Sequence, residues 1–168
     1  QFFDDFSGGT LDTDKWVLSS CGGTSTFMVS GDTLVGRSDG TNRPSVRSRS
    51  SFSAPYALEC SAKRVENIEI IVHWDGGIKG GVDVPANGYH MPMYANWLSP
   101  TQFQFKKYTE GVATTLGKYT VSLNTNWHRY SVRTTQNGIK VVYDGTQVFS
   151  TSDTARTNGY IGFSSREK

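Results

Sequence analysis

Charge is scarce in this sequence. Of 168 residues, 19% are charged, and the formal net charge is +2. So small a charge, spread along the chain, gives no electrostatic footprint for nucleic acid, and no such partner is expected. Cysteine is nearly absent, with Cys21 and Cys60 the only two. Together with His73, His90 and His128 they show no paired ligand spacing, which argues against zinc. A Cys21–Cys60 disulfide is the natural reading in a secreted domain, and two buried free thiols are the alternative. The helix formers Ala, Leu, Glu and Lys are few, while Thr, Ser and Gly dominate, which excludes a helical bundle. No apolar window approaches bilayer-spanning length, so no transmembrane helix and no membrane insertion are expected. An initiator Met is missing too. The chain opens at Gln1, directly in the apolar run Phe2, Phe3 and Phe6. That start fits a removed leader or a domain cut from a longer protein. Few charges with abundant Ser, Thr and Gly fit an extracellular or cell-surface protein.

Aromatics are plentiful. Four Trp, eight Tyr and nine Phe supply a core, which argues against disorder. The length suits one domain, residues 1–168. Period-two alternation recurs in Tyr56–Lys63, Ile68–Trp74, Gln102–Lys106, Arg129–Arg133 and Ile139–Tyr143. Each run predicts a strand with one face inside and one outside. Asn137-Gly138 and Asp144-Gly145 are strong hairpin dipeptides between such runs. The C-terminal part therefore predicts an antiparallel meander over residues 127–134, 138–143, 146–150 and 160–164. The stretch Gly76–Gly88 holds five glycines and predicts a long loop, where binding function often resides.

The two ends carry a pattern. Asp4-Asp5-Phe6, Leu11-Asp12 and Trp16 stand at one; Trp127-His128-Arg129-Tyr130, Val141-Val142-Tyr143-Asp144-Gly145 and Gly159-Tyr160-Ile161-Gly162-Phe163 stand at the other. Spread in order over nearly the whole chain, they resemble the concanavalin A-like lectin/glucanase superfamily, in its laminin-G-like and carbohydrate-binding-module branches. The resemblance implies an all-β jelly-roll sandwich of two curved antiparallel sheets, which the alternation also requires. It implies framework positions for Trp16 and Trp127, both read as core. Many such domains carry a further strand after the segment matching Gly159–Phe163. Three expectations follow for the chain ending at Lys168: the strand lies beyond it, a neighbouring chain supplies it, or this member lacks it.

Fold does not assign function. The glucanase branch uses two glutamates and an aspartate alternating on one strand, and Glu66-Asn67-Ile68-Glu69 does not meet that pattern. The lyase branch needs a base and acid beside groups that neutralise a uronate, for which His73, Tyr94, Gln104 and Lys106 are the candidates. Its strand signatures are not intact here. Non-catalytic sugar binding needs only aromatic rings to stack on sugar faces, and polar groups for hydroxyls. Trp74, Asp75, Tyr89, His90, Tyr94, Asn96, Trp97 and Gln104 supply both. Trp97 is the best candidate platform. The sequence therefore predicts an extracellular lectin-like module for a polysaccharide, with a lyase or hydrolase of the same fold as the enzymatic alternative. A structural or adhesive subunit, packed against neighbouring domains or chains, is the third. No cofactor is required; structural calcium, common in the superfamily, has Asp4 and Asp5 as its candidate ligands.

Overall fold

The computed structural model describes residues 1–19, 23–39, 43–63, 68–79, 84–92, 102–121, 124 and 126–165. Among them there is no helix, and sixteen strands follow in order. They are β1 (Trp16–Ser19), β2 (Thr26–Val29), β3 (Leu34–Arg37), β4 (Ser45–Ser48), β5 (Phe52–Ser53), β6 (Tyr56–Lys63), β7 (Ile68–Trp74) and β8 (Ile78–Lys79). The second half holds β9 (Val84–Pro85), β10 (Gly88–Pro92), β11 (Gln102–Thr109), β12 (Val112–Thr120), β13 (Trp127–Thr135), β14 (Gly138–Tyr143), β15 (Thr146–Thr151) and β16 (Asn158–Ser165).

Two antiparallel sheets form the sandwich. The larger runs β1-β4-β16-β7-β10-β11-β12, with β5 attached to β16; the smaller runs β15-β14-β13-β6. The alternation seen in the sequence decides what each face shows. Ile70, Val72, Tyr89, Met91, Phe103, Phe105 and Ile161 point inward from the large sheet. They meet Tyr130, Val132, Ile139, Val141, Tyr143 and Val148 of the small one. Where the small sheet ends, Phe2, Phe6 and Leu11 of the N-terminal segment and the β2–β3 hairpin close a second cluster around Trp16 and Val46.

Tight turns join the strands as their residues dictate. Glu110-Gly111 and Asp144-Gly145 both take positive φ at two successive positions, the backbone a right-twisted hairpin needs. The expected meander is interrupted, however. β13, β14 and β15 are consecutive neighbours, but β16 crosses to the other sheet and lies between β4 and β7. The six residues 152–157 give the chain room to cross, which two-residue turns do not. Within the glycine-rich stretch β8 pairs antiparallel with β9.

One irregularity shapes the large sheet. Opposite β16, the register moves from Tyr160↔Trp74 to Gly162↔Ile71, so β7 carries an extra residue. His73 takes φ 53° there, a left-handed conformation in which His is enriched among non-glycines. The bulge presses β7 against both neighbours, and each carries glycine at the contact. A Cβ on Gly159 would lie 2.6 Å from the carbonyl carbon of His73, and one on Gly88 3.2 Å from the Cα of Trp74.

Candidate functional site

The outer face of the large sheet gathers the polar chemistry. On β7 the inward positions are Ile70 and Val72, so Glu69 and Ile71 face outward. On β10 and β11 the same alternation turns out His90, Gln104, Lys106 and Tyr108. On β16 it turns out Tyr160, Gly162 and Ser164, flanking Ile161 and Phe163.

Glu69 is the centre of this face. Among the described residues it is the one acidic residue on any strand of the large sheet, and it is 4% exposed. The Ser164 hydroxyl donates to Glu69 Oε2 at 2.7 Å. His90 Nδ1 lies 3.4 Å from the same oxygen, close enough for an ion pair when the ring is charged. Burial alone would raise the carboxyl. The His90 ring, the Ser164 hydroxyl and the charge of Arg43 outweigh it and bring the pKa down to about 2. Tyr108 lies over His90 with ring centroids 4.7 Å apart. The ring is 1% exposed, and apart from the Glu69 contact its nitrogens have no partner among the described residues. Across the strand, Lys106 pairs with His90 in register and Gln104 stands next along β11. On the far side, the Arg47 guanidinium sits 4.2 Å over the Tyr160 ring.

The candidates from the sequence separate in space. His90 and Gln104 share this face with Lys106. Tyr89 points the other way, into the core, and its hydroxyl donates to Asp153, which also accepts from Lys107 Nζ at 2.6 Å. Trp74 is fully buried; its indole nitrogen donates to the Gly77 carbonyl at 2.8 Å, so no ring face is open to a sugar. Asp75 is exposed and holds the turn, accepting from Gly77 N and Asn87 Nδ2. Tyr94, Asn96 and Trp97 lie outside the described residues.

His73 does not face outward as its parity suggests. The bulge turns it into the core, against Tyr56 and Tyr89, and burial lowers its pKa to about 4. The lyase set is thereby divided, with His73 on one side of the sheet, Gln104 and Lys106 on the other, and Tyr94 outside the description. Hydrolysis by paired carboxylates fares no better on β7. A second carboxylate two residues beyond Glu69 would face the same way, and that position is Ile71. Glu66 lies outside the described residues.

The remaining expectations concern metal, thiols and rings. Asp4 accepts from Phe6 N and Trp16 Nε1, and Asp5 from Ser7 N and its hydroxyl, which is the bonding of turn formers. Among the described residues no three His, Cys, Asp or Glu side chains gather as a metal cluster. Cys60 is a free thiol rather than half of a bridge, packed against the core with its pKa pushed up by burial to about 12. Cys21 lies outside the described residues. Trp16 is core as expected, at 3% exposure, but Trp127 is 55% exposed. It shares its side of β13 with Arg129, away from Tyr130 and Val132. Ser164, Tyr108, Tyr160 and Arg47 are the site residues that sequence reasoning missed. Continuing the alternation of β11 past Lys106 would have found Tyr108.

No protein-family model matches the chain, and no curated protein matches its sequence. Solved structures match its fold. The carbohydrate binding module CBM66 from Bacillus subtilis aligns with a TM-score of 0.66 and 18% identity, over 90% of this chain and 87% of that one. A Bacillus subtilis protein of unknown function with a galectin-like fold gives 0.68 and 12%, over 89% and 81%. A glycoside hydrolase family 16 endo-glucanase from Bacteroides ovatus gives 0.64 and 16%, over 96% and 84%. At such identities the likeness is one of fold.

Proposed function

The chain is a concanavalin A-like jelly roll, and we propose that it is a non-catalytic, extracellular carbohydrate-binding module. It takes a polysaccharide on the outer face of its large sheet. The observation that carries this reading is Glu69, ionised and the one acidic residue on the large sheet among the described residues. A glycosidase needs two carboxyl groups, one of them protonated at working pH by a raised pKa. Glu69 has no carboxylate neighbour on its strand, and its pKa is lowered. What surrounds it suits recognition. Glu69, Ser164 and His90 fix one another beneath the face, and the half-buried Lys106 stands beside them on its outer side. Tyr108 and Tyr160 border it as half-buried rings that a sugar face can stack on. The fold matches, which include both a binding module and glucanases, support glycan recognition and leave the choice between binding and catalysis to these residues.

The test is a polysaccharide panel read by affinity electrophoresis with the full chain. At least one neutral polysaccharide should retard it. Lys106→Ala should weaken that binding about tenfold while the chain still folds, as expected for loss of one or two contacts to the ligand. Release of reducing ends would replace binding by hydrolysis, and unsaturated products absorbing in the ultraviolet would replace it by lyase chemistry. Silence across a broad panel by a folded chain would favour a structural or adhesive subunit.

A further inference from the structure

The opposite outer face, on the small sheet, is built differently. Its outward positions follow from the core residues between them. On β13 they are Trp127, Arg129, Ser131 and Arg133; on β6 they are Glu59, Ser61 and Lys63; on β14, Lys140. Trp127 stands directly across from Lys63 in the register. Arg129 is the next outward residue on β13, about 7 Å further along the strand. Its side chain is 70% exposed. Glu59 is the single carboxylate among these eight, and it faces four cations. It lies 3.0 Å from Arg129 and 3.8 Å from Arg133. Lys63 and Lys140 form no ion pair among the described residues.

A single exposed ring is ordinary on a protein surface. An indole bordered by two cations, one directly across the register and one about 7 Å along the strand, with an excess of three positive charges among the outward strand residues, is a more specific arrangement. The ring offers an apolar platform, and the guanidinium offers the fork that binds carboxylate or sulfate in two-point fashion. We propose that this face is a second glycan-binding surface, selective for anionic polysaccharide. Trp127 stacks on a sugar ring, and Lys63 and Arg129 take the acidic groups of that sugar and its neighbour. The inference is independent of the site on the large sheet, since neither face contributes a residue to the other.

The experiment is binding of the full chain to polygalacturonate and to dextran sulfate, with carboxyl-reduced polygalacturonate and single-stranded DNA as comparators. At least one acidic polysaccharide should bind at low salt and weaken steadily as salt rises. Trp127→Ala should lower that affinity about tenfold, the size of one lost stacking contact. Trp127→Phe should restore most of it. The double variant Lys63→Ala, Arg129→Ala should flatten the salt dependence. Removal of the carboxyl groups should abolish binding to polygalacturonate. Undiminished binding by Trp127→Ala, equal affinity for the carboxyl-reduced polymer, equal affinity for DNA, or no binding to either acidic polymer would each overturn the proposal. Failure here leaves the neutral-polysaccharide reading standing, because that reading is tested with other ligands and with Lys106→Ala.

Discussion

The sandwich turns two contrasting outer faces to its surroundings. On the large sheet the one carboxylate is buried, tied to Ser164 and His90, and ionised down to about pH 2. On the small sheet the one carboxylate, Glu59, is exposed among arginines that hold its pKa below the usual range. Both are acid groups lowered by basic neighbours, yet the physics differs. Glu69 is fixed where water cannot screen its partners, so its contacts are part of the fold. Glu59 sits where solvent and salt compete, so its contacts are exchangeable. A fixed polar strip suits shape-specific recognition, and an exchangeable cationic surface suits an anion that arrives by attraction.

Three substitutions test this contrast. The largest effect is expected where the bulge sets which residues the large sheet turns out. Gly159→Ala drives a methyl group to 2.7 Å from the Trp74 carbonyl at a φ of 143°. Backbone strain and overpacking together should cost about 4 kcal/mol in chemical denaturation. An unchanged midpoint would mean that β7 can shed its extra residue. Next comes Glu69→Ala, which leaves the buried Ser164 and His90 without their acceptor and should cost about 3 kcal/mol at neutral pH. It should also change the acid limb. The unfolded carboxyl takes a proton near 4.5 while the folded one resists to about 2, so the parent loses stability as pH falls through that window. The variant should lose that slope. It should keep the one between pH 6.5 and about 4, where the unfolded chain protonates His73 and the folded core resists. Smallest is Glu59→Ala, for which the melting temperature should match the parent's. A clear drop would place the exposed cluster among the structural contacts and remove the contrast.

Alternation in the sequence disclosed the sheets, the inward Tyr130 and Val132, and the outward Gln104 and Lys106, because a strand's faces are fixed by counting in twos. The framework position that the resemblance assigns to Trp127 reads as core; the count, carried back from Arg129, sets it on the outside, where the structure has it. Local parity outweighed the analogy there, since a residue cannot face the core next to an inward Tyr130 without a bulge. Counting failed at His73, where a bulge does occur. No glycine or asparagine in β7 marks it; the enabling residues are Gly88 and Gly159, on two other strands. Glu69, Ser164 and His90 meet through strands far apart in sequence, so their partnership was invisible before the sheet order was known.

That sheet order has a consequence in time. β16 lies in the interior of the large sheet, bonded to β4 on one side and β7 on the other. The middle of the sheet is thus built from residues 158–165, more than a hundred positions after β4. While the chain is being synthesised, β4 and β7 present unpaired edges to each other across a missing strand. Ser164 cannot reach Glu69 until that strand has emerged. Folding of such distant pairings is slow, because the closure entropy is lost before the contacts return it. The nascent chain therefore passes through an interval with its widest sheet open, when shielding from other chains matters most.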